Sequence, residues 1–401
     1  MQQPRGHEKV EALLAKGVHI PNPWAVDIAD DVDVERISAD GVTLHQGTRL
    51  RGSQTVISAG CIIGAEGPVT IDNCWLGPRV ELKGGFFTKS VYLAGANMSL
   101  GAHVREGSIL EEEAGGAHTV GLKQTILFPF VTLGSLINFC DVMMAGGTSR
   151  KDHSEVGSSY IHFNFTPDGD KTTASLFGDV PRGVLLNQKP IFLGGQGGTV
   201  GPVRTGFGVT IGAGSVLRGD VDEDDVLVLP DQVPGMKRPH ARHKYKKLNA
   251  ILEKNLTYTG SLVALENWYR QVRSIFFARQ EFGDLVLEGA LQQLASGQKE
   301  RTKRLKALIE KVQPEDAARR ELVDHAQAVI DGCAAVAVEA PADLLEALTA
   351  AAEDGQDYLT AIQRLDAAQQ EAVTTWLSEV IDIVRRRACE PIPQLGLFGK
   401  A

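Results

Sequence analysis

A six-residue repeat governs the first half of this 401-residue chain. Its unit is an aliphatic residue, a small residue or glycine, two variable positions, a small or β-branched residue and one more variable position. It reads "ISAGCI" at Ile57, "LGPRVE" at Leu76, "LGAHVR" at Leu100 and "IGAGSV" at Ile211. From Ile211 to Leu217 the aliphatic anchors keep strict phase. Such a period fits neither an α-helix nor a strand with one solvated face. It fits a solenoid in which three hexapeptides make one triangular coil, each aliphatic residue pointing inward onto its counterpart in the next coil. Glycine, asparagine or aspartate is expected at the corners, where the backbone turns sharply. The expected fold is mainly β, a left-handed parallel β-helix. A β-sandwich is the alternative, and the recurrence of the hexapeptide disfavours it.

Glycine marks where this grammar stops. Of 43 glycines, 35 lie at or before residue 235. Beyond the segment "LVLPDQVPGMKRPHARHKYKK" the apolar spacing becomes helical: "SLVALENWYRQVRSIFF" sets Leu262, Leu265, Trp268, Val272 and Ile275 on one face. The pattern returns in "RTKRLKALIEKV", "PADLLEALTAAAEDG" and "EAVTTWLSEVIDIVRRR", with Pro341 near a helix start and Gly355 as a stop. The expected organisation is a short N-terminal helix over 1–20, a solenoid over 21–235 and an all-α segment of five or six helices over 236–401. Capping the open end of the solenoid and mediating assembly are the two roles open to that segment.

Charge and cysteine usage narrow the function classes. The net charge is −9. Up to Gly235 there are 18 basic against 27 acidic residues, so the solenoid lacks the basic excess of a nucleic-acid binder. The basic run "MKRPHARHKYKK" reads as a solvated linker. The five cysteines are widely spaced, with no C-x-x-C pair, and the polar start "MQQPRGHEKVEALLAKG" does not resemble a signal peptide. No apolar run is long enough to span a membrane. A cytoplasmic location, with no nucleic-acid or membrane partner, is expected.

The repeat breaks around 110–121, 143–155 and 185–206, and loops thrown out of a solenoid commonly carry function. The sharpest interruption is "SSYIHFNFTPDGDKTTASLFGDV", residues 158–180, which gathers Asn164, Asp168, Asp170 and Lys171. A corner asparagine with an ordinary turn at Pro-Asp-Gly accounts for Pro167 and Gly169. It does not require Lys171 after the two aspartates. "FLGGQGGTVG" is glycine-rich but lacks the following GK[ST] of a phosphate loop.

Residues from about Gly101 to Val221 resemble the acetyltransferase domain of the bifunctional N-acetylglucosamine-1-phosphate uridyltransferase / glucosamine-1-phosphate N-acetyltransferase family. The likeness rests on "YIHFNFTPDGDKTTASLFGDV", on the gapless "KQTILFPFVTLGSLINFCD" from Lys123 to Asp141, and on "VRTGFGVTIGAGSVLRGDV". It implies a homotrimer of left-handed β-helices binding acetyl-CoA and an amino-sugar phosphate between subunits. It further implies phosphate contacts from Arg105 and Lys123, although Glu106 stands where the family has proline. Asn164 and Lys171 match acceptor-sugar ligands, and Ala213 and Gly183 fall where acyl-CoA packs on a coil. In this register the family's catalytic histidine falls on Ser135, its acceptor-binding tyrosine on Asn138 and a second asparagine on Glu155. Another register moves the histidine position to Asp141. Pyrophosphorylase activity is not expected.

N-acetyl transfer needs a base, and the residues leave it open among His162, His153 and Asp141, with Glu155 a further carboxylate. Arg105 and Lys123 read equally well as solvated charges on the outside of a coil. His103 and His118 read as ordinary corner residues. The γ-type carbonic anhydrases, another β-helix family, hold zinc with three histidines. His103, His118, His153 and His162 do not reproduce that spacing, so no metal is expected. Two functions stay open: a transferase acting on a phosphorylated amino sugar or sugar nucleotide with acetyl-CoA, and a non-catalytic scaffold or sugar-nucleotide sensor without the family histidine.

Overall fold

The chain is a parallel β-solenoid of about 11 turns followed by a helical region. The structure, a computed structural model, describes residues 5–163, 168–230, 234, 235, 237, 239 and 242–399. Three parallel ladders form the faces of a prism. Face 3 runs from Thr43–Leu44 to Leu227–Val228 through ten strands. Face 1 includes Val69–Asp72, Gly85–Thr88, Ala102–Val104 and Ile161–Phe163. Face 2 includes Trp75–Leu76, Ser90–Tyr92, Ser108–Leu110 and Ser175–Phe177. Strands Gly121–Leu127 and Asn138–Met144 bend across faces 1 and 2. Along face 1 the buried column runs Leu50, Ile71, Phe87, Val104, Leu122 and Phe139, one aliphatic or aromatic anchor per coil.

Many corners carry the expected residues at positive φ, among them Gly60, Gly95, Gly101, Gly107, Asn73 and Asp141, but others do not. Glu113, Thr119, Gln124, Phe130 and Leu136 all adopt positive φ there. That conformation costs a non-glycine residue ~1–2 kcal/mol. Inter-coil hydrogen bonds hold it in place: Gln124 N to Glu106 O at 3.0 Å, Phe130 N to Glu112 O at 2.9 Å and Leu136 N to His118 O at 3.1 Å.

Helices α1 (His7–Lys16) and α2 (Val180–Gly183) precede the helical region, where α3 (Leu248–Trp268), α4 (Ser274–Phe277) and α5 (Gly283–Ile309) come first. After them come α6 (Ala317–Asp324), α7 (Ala326–Gly332), α8 (Ala342–Glu353), α9 (Tyr358–Gln363) and α10 (Ala367–Cys389). The described residues thus hold more helices after 236 than the five or six expected. Helices α6, α7 and α9 are too short to establish a hydrophobic period of their own.

The helical region lies along face 2 rather than across the solenoid's end: α5 contacts the strands at Trp75, Ser90 and Ser108, and α3 the strand at Ser175. Consequently Trp75, Val91, Ile109, Ile126, Met143 and Leu176 are buried although they do not fill the coil interior alone. Gly289 of α5 sits on Trp75, where an added Cβ would fall 2.3 Å from the indole. Polar contacts fix the register. A π-helical segment, Tyr269–Arg273, joins α3 to α4. The Arg273 guanidinium grips Glu112 with two bonds of 2.9 and 2.8 Å and reaches Glu111 at 3.0 Å. Tyr269 donates to Glu111 at 2.6 Å, and Tyr358 covers the guanidinium at 3.9 Å. Burial raises the Glu111 carboxyl above its usual range, and the neighbouring Arg273 opposes it.

A candidate active site on the open face

Among the described residues, face 1 has no such cover along its middle coils, where Phe86, Ile161 and Phe163 stand exposed. The register sets Lys123 beside Cys140, and Arg105 follows Val104, whose partner is Leu122. Arg105, Lys123 and Cys140 therefore form one outward row on adjacent strands, about 4.8 Å apart at the backbone. Lys123 is held by Glu106 at 2.9 Å. Partial burial would raise Glu106, but the Lys123 ammonium overcomes it and keeps the carboxyl below its ordinary value. Burial and Asp141 push the Cys140 thiol up, while Arg105, Lys123 and Lys171 pull the other way. All three cations thus act on the Cys140 thiol.

Beside this row runs a groove of about 390 Å³ lined by His103, Arg105, Thr119, Gly121, Leu136 and Asn138 among others. At its corner, Ser135 Oγ lies 2.9 Å from His118 Nδ1, and the Ser135 N–H donates to Ser158 Oγ at 3.1 Å. The groove thus holds a guanidinium that can meet an anion, and the hydroxyl–imidazole pair lies next to it, one residue before Thr119 and Leu136 of its lining.

Other expected residues go elsewhere. His162 points into the coil, 3% exposed, with Nε2 2.8 Å from Ser175 Oγ. Burial lowers its pKa to about 4, so it is neutral and out of reach of a ligand outside the coil. Asp141 is also buried and is paired with Arg301 of α5. His153 lies on the hairpin between Gly147–Ser149 and Asp152–His153, with Nδ1 2.9 Å from the Arg150 carbonyl. This hairpin joins faces 2 and 3, away from the cationic row. Glu155 is exposed on face 3. Ala213 is exposed at a turn after Thr210–Ile211, whereas Gly183 is buried in α2 against Ala145 and Phe128. Asn164 lies outside the described residues. Among the described residues no group of three or more His, Cys, Asp or Glu side chains is placed to hold a metal.

The two aspartates beside Lys171 have a different employment. Asp170 accepts from the Tyr245 hydroxyl at 2.8 Å, and Asp168 accepts from the His243 N–H at 3.2 Å. Lys311 donates to the Asp168 carbonyl at 2.5 Å, and Asn255 to the Thr172 carbonyl at 3.1 Å. Residues 168–172 thus tie solenoid to helices, with Lys171 among them at φ +57°. A larger cleft of about 650 Å³ opens between the last coils, α3 and α10. Its Arg182, Arg204 and Arg385 are already matched by Asp224, Asp222 and Asp382.

No family model matches the chain. Among curated proteins it is 27% identical over 223 residues to bifunctional protein GlmU of Baumannia cicadellinicola, covering 55% of this chain and 42% of that protein. The GlmU of Thermotoga petrophila is 29% identical over 214 residues, 53% of this chain and 42% of the relative. That of Pseudoalteromonas atlantica is 25% identical over 238 residues, 58% and 47%. The resemblance is to GlmU. This chain spans under half the length of these GlmU relatives. No helix among the described residues is long and apolar enough to cross a membrane. The Ser135–His118 contact escaped the sequence reading because its partners lie one coil apart, 17 residues along the chain.

Proposed function

We propose that the protein is a transferase-like protein of the β-helix acyltransferase kind, whose open face binds a phosphorylated amino sugar or sugar nucleotide. The observation that carries this reading is the outward row of Arg105 and Lys123 beside the groove with Asn138, within a chain similar to GlmU over half its length. Arg105 offers a bidentate fork and Lys123 a point charge to a phosphate. Lys171 adds a third cation near the same place. An acyl-CoA is the proposed donor. Ala213 and Gly214 expose nothing larger than a methyl group, beside the exposed Leu229 that lies over Gly212, a surface against which an extended pantetheine chain can lie.

The site is proposed to be completed by other copies of the chain in a trimer. Face 2 is taken by the helices, so faces 1 and 3 are the ones free to meet a neighbour. Exposed Ile161 and Phe163 on face 1 and Phe192 on face 3 supply apolar area for that contact. A cytoplasmic setting accords with this chemistry. The second reading, a sensor or scaffold, is favoured by one observation: Ser135 stands where the resemblance calls for a histidine.

A thermal-shift panel of acetyl-CoA, CoA, glucosamine-1-phosphate, N-acetylglucosamine-1-phosphate and UDP-N-acetylglucosamine tests the proposal. A ligand at ~100 times its Kd stabilises by ~2.7 kcal/mol. The expected result is a shift with a CoA species and with an amino-sugar phosphate, the latter lost in the Arg105→Ala/Lys123→Ala double variant. A response to the sugar nucleotide alone supports the sensor, and a flat panel supports the scaffold.

A further inference from the structure

Two serine–histidine pairs occur among the described residues, and they differ in access. His162 and Ser175 are sealed inside the coil. His118 and Ser135 meet at 2.9 Å on an exposed corner. Thr119 and Leu136, their immediate chain neighbours, line the groove whose other end holds Arg105. We propose that His118 is the general base for acyl transfer at this groove, with Ser135 as the residue that positions it. The inference rests on the function proposed above.

The geometry of the imidazole decides the roles. When Nδ1–H donates to Ser135 Oγ, the ring's other nitrogen, Nε2, presents a lone pair. Ser135 is itself fixed, because its N–H is tied to Ser158 Oγ in the next coil. The contact limits ring rotation, and the hydroxyl can accept from Nδ1–H in the tautomer that leaves Nε2 bare. A phosphate on Arg105 directs the rest of an amino-sugar phosphate along the groove towards the corner. In the transfer step the amine nitrogen bonds to the thioester carbonyl carbon. The carbon–sulfur bond breaks and the thiolate leaves with the electron pair. His118 Nε2 takes the proton shed by the nitrogen and returns it to the thiolate or to water.

The pair is not an ion-pair site: no carboxylate or ammonium bridges to His118 among the described residues. The titratable groups sharing the groove are His103 and Arg105. His103 packs edge-on against Phe86 at 5.3 Å, whereas His118 has the hydroxyl partner. Exposure also means that replacing His118 leaves the core intact.

The experiment measures CoA release from acetyl-CoA with glucosamine-1-phosphate as acceptor, across pH, alongside calorimetric binding of the acceptor. His118→Asn is expected to lower kcat by ~10²–10⁴-fold, the usual contribution of a general base, with acceptor affinity unchanged. Ser135→Ala is expected to lower kcat about tenfold with acceptor affinity unchanged, and Ser135→Thr to restore kcat; this split is what a positioned imidazole requires. An active parent whose kcat is insensitive to His118→Asn overturns the role of His118 and leaves the transferase reading standing. A parent that binds the acceptor but releases no CoA overturns both.

Discussion

Faces 1 and 2 are cut from the same strands and meet different fates. Strand Asn138–Met144 serves both: its first half carries exposed Asn138 and half-buried Cys140 on face 1, its second half Val142, Met143 and Met144, all buried on face 2. A parallel sheet covered on both sides reads as a continuous apolar run, whereas an open face alternates. The covered face gains burial and loses access. The open one keeps cations, an imidazole and a groove. The helical region therefore decides where chemistry can occur on this solenoid by removing one face from solvent.

The largest test breaks the cover. Arg273 is 1% exposed and neutralises Glu111 and Glu112, so Arg273→Ala leaves two buried carboxylates without a cation. A loss of ~3–5 kcal/mol is expected in urea unfolding. A variant within 1 kcal/mol of the parent would show that the helices are held by apolar contact alone.

The interior of face 1 supplies the next. Folding holds His162 neutral with its pKa lowered to about 4. Between pH 6.5 and 4 the unfolded chain takes up a proton that the folded chain refuses, so stability falls as the pH drops through that window. The expected loss is about 3 kcal/mol. Replacing His162 with asparagine should remove this component from the stability–pH curve; an unchanged slope would assign acid sensitivity to other groups.

The smallest effect belongs to the exposed surface. Lys123→Ala removes only a half-exposed ion pair with Glu106, and its stability is expected to stay within ~1 kcal/mol of the parent. Affinity for an amino-sugar phosphate should nonetheless fall. If stability drops as it does for Arg273→Ala, Lys123 is structural and the contrast between the faces fails.

The solenoid was legible because one anchor per hexapeptide is a local property, visible at Ile57, Leu76 and Ile211. The cover was legible too, in principle: "TILF" and "VMMA" place apolar residues where "VREG" and "GLKQ" do not. The aspartates at 168 and 170 were open to misreading, since Tyr245, His243 and Lys311, which claim them, lie 75 or more residues away. The corner residues were only partly legible, because Phe130 and Leu136 take a backbone form that neighbouring coils impose. The His118–Ser135 pair required a three-dimensional register that no local spacing encodes.

The clothing of face 2 has a consequence for how the chain is made. Synthesis delivers the solenoid first, and its row from Trp75 to Leu176 waits without a partner until α5 has been completed at Ile309. At ~5–20 residues per second that is an interval on the order of ten seconds. During it, the nascent protein displays a flat apolar ribbon with strand geometry, the form most prone to wrong association. A ribosome stalled before Ile309 would hold a chain that has its coils but remains sticky, and a chaperone that recognises such ribbons would be its natural custodian.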